Sequence, residues 1–157
     1  MDHATQSASQ PSLNRLALSA TVHCLTGCSI GEVLGMVIGT ALGWSNAATI
    51  LISIALAFAS GYALTLLPLL RAGMALATAL GLALASDTLS ITIMEIVDNA
   101  VMIVIPGAMN AGLTDPLFWV SLLVSLVLAG LTAFPANRWL IARGRGHALV
   151  HEHHHHA

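Results

Sequence analysis

Lysine is absent from this chain, and charge of either sign is scarce: five arginines and seven acids leave 8% of 157 residues charged against 57% hydrophobic. A soluble domain carries about 25% charged residues, so a water-facing fold is excluded. A formal net charge of −2, with no basic run, excludes a nucleic-acid surface as well. Cysteine is limited to Cys24 and Cys28, too few for the disulfide framework of a small secreted domain. The two lie one helical turn apart, where a regular helix gives no disulfide. Catalytic signatures are missing too: there is no Ser-His-Asp set, no phosphate-cradling glycine loop and no soluble domain to handle a polar substrate. An enzyme is not expected. Haem is disfavoured, because a single histidine, His23, falls within an apolar run.

What the chain does have is long apolar runs. Residues 17–43, 47–70, 88–106 and 117–140 each approach the ~20 residues that carry a helix across a bilayer. The punctuation between them agrees. Gly43 breaks the first run and Ser45 and Asn46 offer caps, Pro106-Gly107 stops the third, and Asp115-Pro116 reads as cap plus first-turn proline for the fourth. Trp44, Trp119 and Trp139 fall at run ends, as interfacial aromatics do. The first run is too long for a signal-peptide core of about 7–15 residues, so it reads as an uncleaved span. Residues 72–86 fit less easily. Fifteen residues at ~1.5 Å reach only about 22 Å, so the reading is a short interfacial or re-entrant helix between the second and third spans, with Asp87 capping the third. A fifth span remains the alternative. The expected fold class is an all-α integral membrane protein of four transmembrane helices. A polar segment 1–16 precedes the membrane domain 17–141, and a basic, histidine-rich segment 142–157 follows.

Ionisable groups inside these runs carry the functional signal, since each costs a few kcal/mol in lipid and normally faces a partner, a bundle interior or a water path. In the first run Cys24, Cys28 and Glu32 step by four, with His23 about 100° aside. Gly27, Gly31, Gly35 and Gly39 step likewise, giving a ridge without side chains of the kind that packs membrane helices. In the third run Met94, Glu95, Asp98 and Met102 share a stripe, with Asn99 beside it. Two acids three residues apart at this depth need a cation or protons, because bare neighbouring carboxylates do not both stay ionised. Thr49, Ser53 and Ser60 lie at helical spacing on the second run, and the fourth run reads as scaffold. Thiolate, imidazole and thioether donors suit copper first and zinc second. The expected metal donors are therefore His23, Cys24, Cys28, Glu32, Glu95 and Asp98, with Met94, Met102 and Asn99 as further candidates. His147, His151 and His153 to His156 form either a tag or a native metal-collecting arm.

The sequences HCLTGCSIGEVLGMVIG from His23, SDTLSITIMEIVDNAVM from Ser86 and FPANRWLIARGRGHALVH from Phe134 resemble a family of small bacterial membrane domains of unknown function, over roughly residues 21–151. The resemblance implies no activity. It does imply company with copper-handling proteins, so a copper-handling partner is an expectation, beside the lipid bilayer and a homo-oligomer packed through small-residue faces. The leading functional expectation is a membrane protein that binds and translocates a transition metal. A proton- or cation-coupled transporter or channel without a metal, and a non-transporting assembly or sensor subunit, are the alternatives.

Arg15, Arg71, Arg138, Arg143 and Arg145 all fall on one side of a four-span topology, and the two turns opposite hold no Lys or Arg. The positive-inside rule then puts both termini in the cytoplasm of a bacterial inner membrane. A reporter active only in the periplasm, fused after Arg145, is expected to stay silent; activity there would overturn the topology.

Overall fold

A computed structural model describes residues 12–143. Among these, four long helices follow one another, α1 (Leu13–Leu42), α2 (Asn46–Arg71), α3 (Leu76–Val104) and α4 (Pro116–Ala142), with a single 3-10 turn at Ala108–Asn110 before α4. All four are long and apolar enough to cross a membrane. Their ends follow the local chemistry. The side chains of Ser12, Ser45 and Asp115 accept from the backbone N–H of Arg15, Ala48 and Leu117 at the starts of α1, α2 and α4. Gly43, Gly73 and Gly107 take the left-handed conformation, with φ of 64°, 84° and 84°, where the chain reverses. Consecutive helices are therefore antiparallel neighbours. One face of the bundle, the terminal face, holds the start of α1, the end of α4 and the α2–α3 turn, and the opposite face holds the α1–α2 turn and the α3–α4 loop. Arg15, Arg71, Arg138 and Arg143 sit at the terminal face, where Arg138 Nε donates to Asn14 Oδ1 at 2.8 Å and the Arg143 guanidinium lies 4.2 Å from the Trp139 ring centroid. Arg145 and the histidines at 147, 151 and 153–156 lie outside the described residues.

The expected short helix over residues 72–86 is corrected. Residues 72–75 form the turn after α2, and residues 76–86 enter α3, which runs 29 residues from Leu76 to Val104 without interruption. Nothing in that stretch can stop a helix. It is mostly alanine and leucine, strong helix formers, and its one glycine, Gly81, is accommodated. At ~1.5 Å per residue α3 is about 43 Å long, which tilting and projection beyond the hydrocarbon accommodate. α1, at 30 residues, is as long. Asp87 is accordingly not a cap. It is the twelfth residue of α3, fully buried among the helices.

The glycine ridge of α1 is used inside the chain, against α2. A Cβ on Gly27 would meet the Gly61 backbone at 2.7 Å, one on Gly31 would strike the Ala57 backbone, and ones on Gly35 and Gly39 would strike Ser53 and Thr49. This close approach is how membrane helices gain van der Waals contact where lipid gives no hydrophobic drive between them. α4 packs with equally small residues, Ala129 and Ala133, in a core cluster with Cys24, Cys28, Ala57, Ile91 and Met94. Nearer the terminal face, Asn137 Nδ2 of α4 donates to Thr21 Oγ1 of α1 at 2.9 Å. Gly31→Ala is expected to destabilise the detergent-solubilised protein by about 1–3 kcal/mol through overpacking. Gly81→Ala, whose added Cβ meets open space, is expected to be neutral or stabilising by up to ~1 kcal/mol; thermal unfolding followed by circular dichroism separates the two.

Candidate functional site

α1 and α3 run parallel, both starting at the terminal face, so residues at equal heights meet. The centre of α1 falls near Cys28 and that of α3 at Ser90. Around this level Cys24, Cys28 and Glu32 of α1 face Asp87, Ser90, Met94, Glu95 and Asp98 of α3, and all are buried. The result is a polar column through the middle of the bundle. It occupies the α1 face next to the glycine ridge, which is why residues of both sets step by four without competing for space.

Toward the terminal face the column ends in a three-helix hydrogen-bond chain. Thr65 of α2 donates to Asp87 Oδ2 at 2.6 Å, and Ser86 donates to Asp87 Oδ1 at 2.8 Å. The His23 ring approaches Thr65 with Nε2 3.0 Å from Oγ1. Because the single threonine proton is directed at Asp87, Nε2 of His23 is the donor in this arrangement. The structure thus turns His23 toward α2 and Thr65. It keeps His23 out of the α1–α3 set with the two thiols.

In the middle, Cys24 adjoins Ser90 and Cys28 adjoins Glu95. Both cysteines are free. Glu95 is only 4% exposed, yet among the described residues neither of its carboxyl oxygens has a hydrogen-bond partner, nor does Ser90 Oγ. The Cys28 thiol and the Asn99 amide come close to the Glu95 carboxyl but stop short of hydrogen-bond geometry with it, and Asn99 Nδ2 donates to the Glu95 backbone carbonyl at 2.9 Å. One turn further, the Glu32 carboxyl lies against that of Asp98. Ser125 of α4 donates to Asp98 Oδ1, while Glu32 Oε2 has no partner.

Two hollows meet this end of the column. A cavity of about 50 Å³ is walled by Glu32, Met36, Ser53, Asp98 and Met102, among others. It shares Met36, Thr49 and Met109 with a larger one of about 240 Å³ beneath the loops, between Trp44, Asn46 and Asn110. The two hollows thus adjoin on the side away from the terminal face, with Met36 and Met109 between them and Glu32 and Asp98 in the wall of the inner one. The small cavity has room for one or two waters.

Chemically, the column gathers four acids and one histidine with neither lysine nor arginine among them. A carboxylate at this depth is tolerated when a proton or cation accompanies it. Among the described residues no three His, Cys, Asp or Glu side chains are grouped so as to hold a metal ion. The sequence-expected donors are instead strung out in pairs: Cys28 with Glu95, Glu32 with Asp98. Met94 packs with the thiols and Met102 lines the cavity.

Sequence reasoning missed Thr65 and the contribution of α4. A signal for the latter was present, since Ser121, Ser125, Ala129, Ala133 and Asn137 step by four along an otherwise bulky helix and all are buried. Thr65 carried none, being one of many hydroxyls. No curated protein matches the chain. No solved structure matches it either. The family model for a domain of unknown function, DUF4396, matches residues 14–146, nearly the whole four-helix bundle, and the chain belongs to that family.

Proposed function

We propose that this protein is a proton-translocating transporter, with Glu95 and the Glu32–Asp98 pair as its proton carriers. The observation that carries the reading is the Glu95 carboxyl, buried with both oxygens unpartnered, one turn from a second carboxyl pair that touches a cavity. An ion such as sodium or calcium needs several oxygens gathered about one centre, whereas protons pass between groups set in a line. The acids here are set in a line. The His23–Thr65–Asp87 chain supplies a second proton-handling group toward the terminal face, and the arginines clustered there support that face as cytoplasmic. Between Asp87 and Glu95 stand Ser90, Ile91 and Met94, fully buried. Passage across this dry stretch therefore takes a conformational change that admits water, as in alternating access. Few spans suggest assembly into a homo-oligomer.

In proteoliposomes with an imposed membrane potential, Glu95→Gln and Asp98→Asn are each expected to lower proton flux at least about tenfold, the effect of ~1.4 kcal/mol on a barrier. Flux that is equal in wild type and Glu95→Gln would end the proposal.

A second reading, binding of a soft metal ion, is favoured by the sulfur content of the centre: Cys24, Cys28 and Met94 share one buried cluster, and such donors suit copper(I) ahead of zinc. Under this reading protein truncated after Arg145 retains stoichiometric copper through dialysis, and the Cys24→Ser/Cys28→Ser double variant loses it. Elemental analysis of the two proteins decides.

A further inference from the structure

The acids are strung along the column, but at its end farther from the terminal face neutral oxygens join one pair of them. The cavity of about 50 Å³ is walled by Glu32 from α1, by Thr49 and Ser53 from α2, and by Asp98 and Asn99 from α3. What these residues can offer it is fixed by the bonds they make elsewhere. Ser125 donates to Asp98 Oδ1, which leaves Oδ2. The Asn99 amide nitrogen is committed to the Glu95 backbone carbonyl at 2.9 Å, which leaves the amide oxygen. Glu32 is 9% exposed, lies in the cavity wall and keeps Oε2 without a hydrogen-bond partner among the described residues. Ser53 Oγ and Thr49 Oγ1 stand against Gly35 and Gly39, where α1 has no side chains to push them away.

Oxygens from three helices, two of the five residues being acids, thus surround room for one or two waters. That is the chemistry of a hard cation. We propose that the cavity binds a small alkali cation, of sodium size, between Glu32 and Asp98, with Asn99, Ser53 and Thr49 replacing part of its water shell. The inference rests on the reading of the Glu32–Asp98 pair as a proton carrier and adds the ion that competes with the proton there. A third acid is not required. Two carboxyls that share a proton carry one negative charge, which one monovalent ion neutralises; a divalent ion suits the pair only with both protons gone. An organic cation exceeds a space of this size, and an anion is repelled by both acids. Met36, Met102 and Met109 share the wall, but thioethers are poor donors to a hard ion and form the apolar side of the cavity. The titratable groups nearest the pair are Glu95 on α3 and Cys28 on α1, while α2 and α4 present the hydroxyls of Thr49, Ser53 and Ser125.

The test uses the full chain in detergent, titrated calorimetrically with sodium chloride while choline chloride holds the ionic strength constant. Saturable sodium binding is expected, at least about tenfold tighter than that of potassium, a difference of ~1.4 kcal/mol, with proton release into weakly buffered solution and weaker binding as the pH falls. Glu32→Gln should abolish the signal. Ser53→Ala, which keeps both carboxyls and adds no bulk, should weaken it about threefold or more through loss of one oxygen, and thermal unfolding shows that both variants are folded. Equal affinity for sodium and potassium, Glu32-dependent binding of calcium ahead of sodium, or unchanged sodium binding in Glu32→Gln would overturn the inference. Absence of sodium binding with Glu95-dependent proton flux intact removes this inference alone; sodium binding without proton flux removes the transport reading and leaves the site.

Discussion

Four carboxyl groups gathered in a dry interior are the constraint around which this bundle is organised. Asp87, Glu95, Asp98 and Glu32 are all buried in the bundle, and each would cost about 3 kcal/mol if merely placed in lipid. Two of them are relieved by hydroxyls from other helices. Asp87 takes bonds from Ser86 and Thr65, and Asp98 takes one from Ser125. The Glu95 carboxyl oxygens accept no hydrogen bond among the described residues. The graded treatment of four similar side chains gives the column its direction. A buried acid bonded by two hydroxyls at the terminal end leads to one whose oxygens accept no hydrogen bond at the centre, and then to a pair that touches a cavity.

The small residues serve that arrangement. Glycine at every fourth position lets α2 close on α1 along one face, which frees the next face of α1 for α3 and the polar groups. Alanines of α4 then seal the thiols and Met94 from lipid. Had the ridge been made of leucines, α2 would stand farther off and Thr65 would fall short of Asp87. The same economy explains why the ridge is unavailable for pairing with another copy. It is filled by Gly61, Ala57, Ser53 and Thr49 of the same chain.

Much of the fold was legible in the sequence because its cues are local. Asp115-Pro116 starts α4 as read, and Gly43 and Gly107 turn the chain as read. A length rule sets residues 72–86 apart only if a helix must end at the membrane surface; for residues 76–86 composition, which favours an unbroken helix, is the better guide. Burial of Glu32, Glu95 and Asp98 was legible too, since intramembrane acids have few other options. Which donors converge was not. Helical angle sets His23 about 100° from the cysteine face, and its ring reaches 3.0 Å from Thr65, a residue 42 positions away, a meeting that no pattern within either helix specifies. Ser125 was hidden for the same reason.

The α2–α3 seam shows how function can reside in what the packing leaves undone. α2 adheres to α1 along most of its length through the glycines, but it meets α3 chiefly at one end, by Tyr62 with Thr88 and Leu69 with Ala79. Toward the other end the partners are Ile50, Ile54 and Phe58 against Ile96 and Ile103, bulky residues that hold the helices apart. Bulk on both sides of a membrane seam forbids the close approach that glycine allows, so the gap is written into the sequence as firmly as the contact is. Glu95 is among the residues that line that gap, yet both its carboxyl oxygens stay buried, so helix packing keeps the acid on the side of the column, beside Cys28 and Asp98.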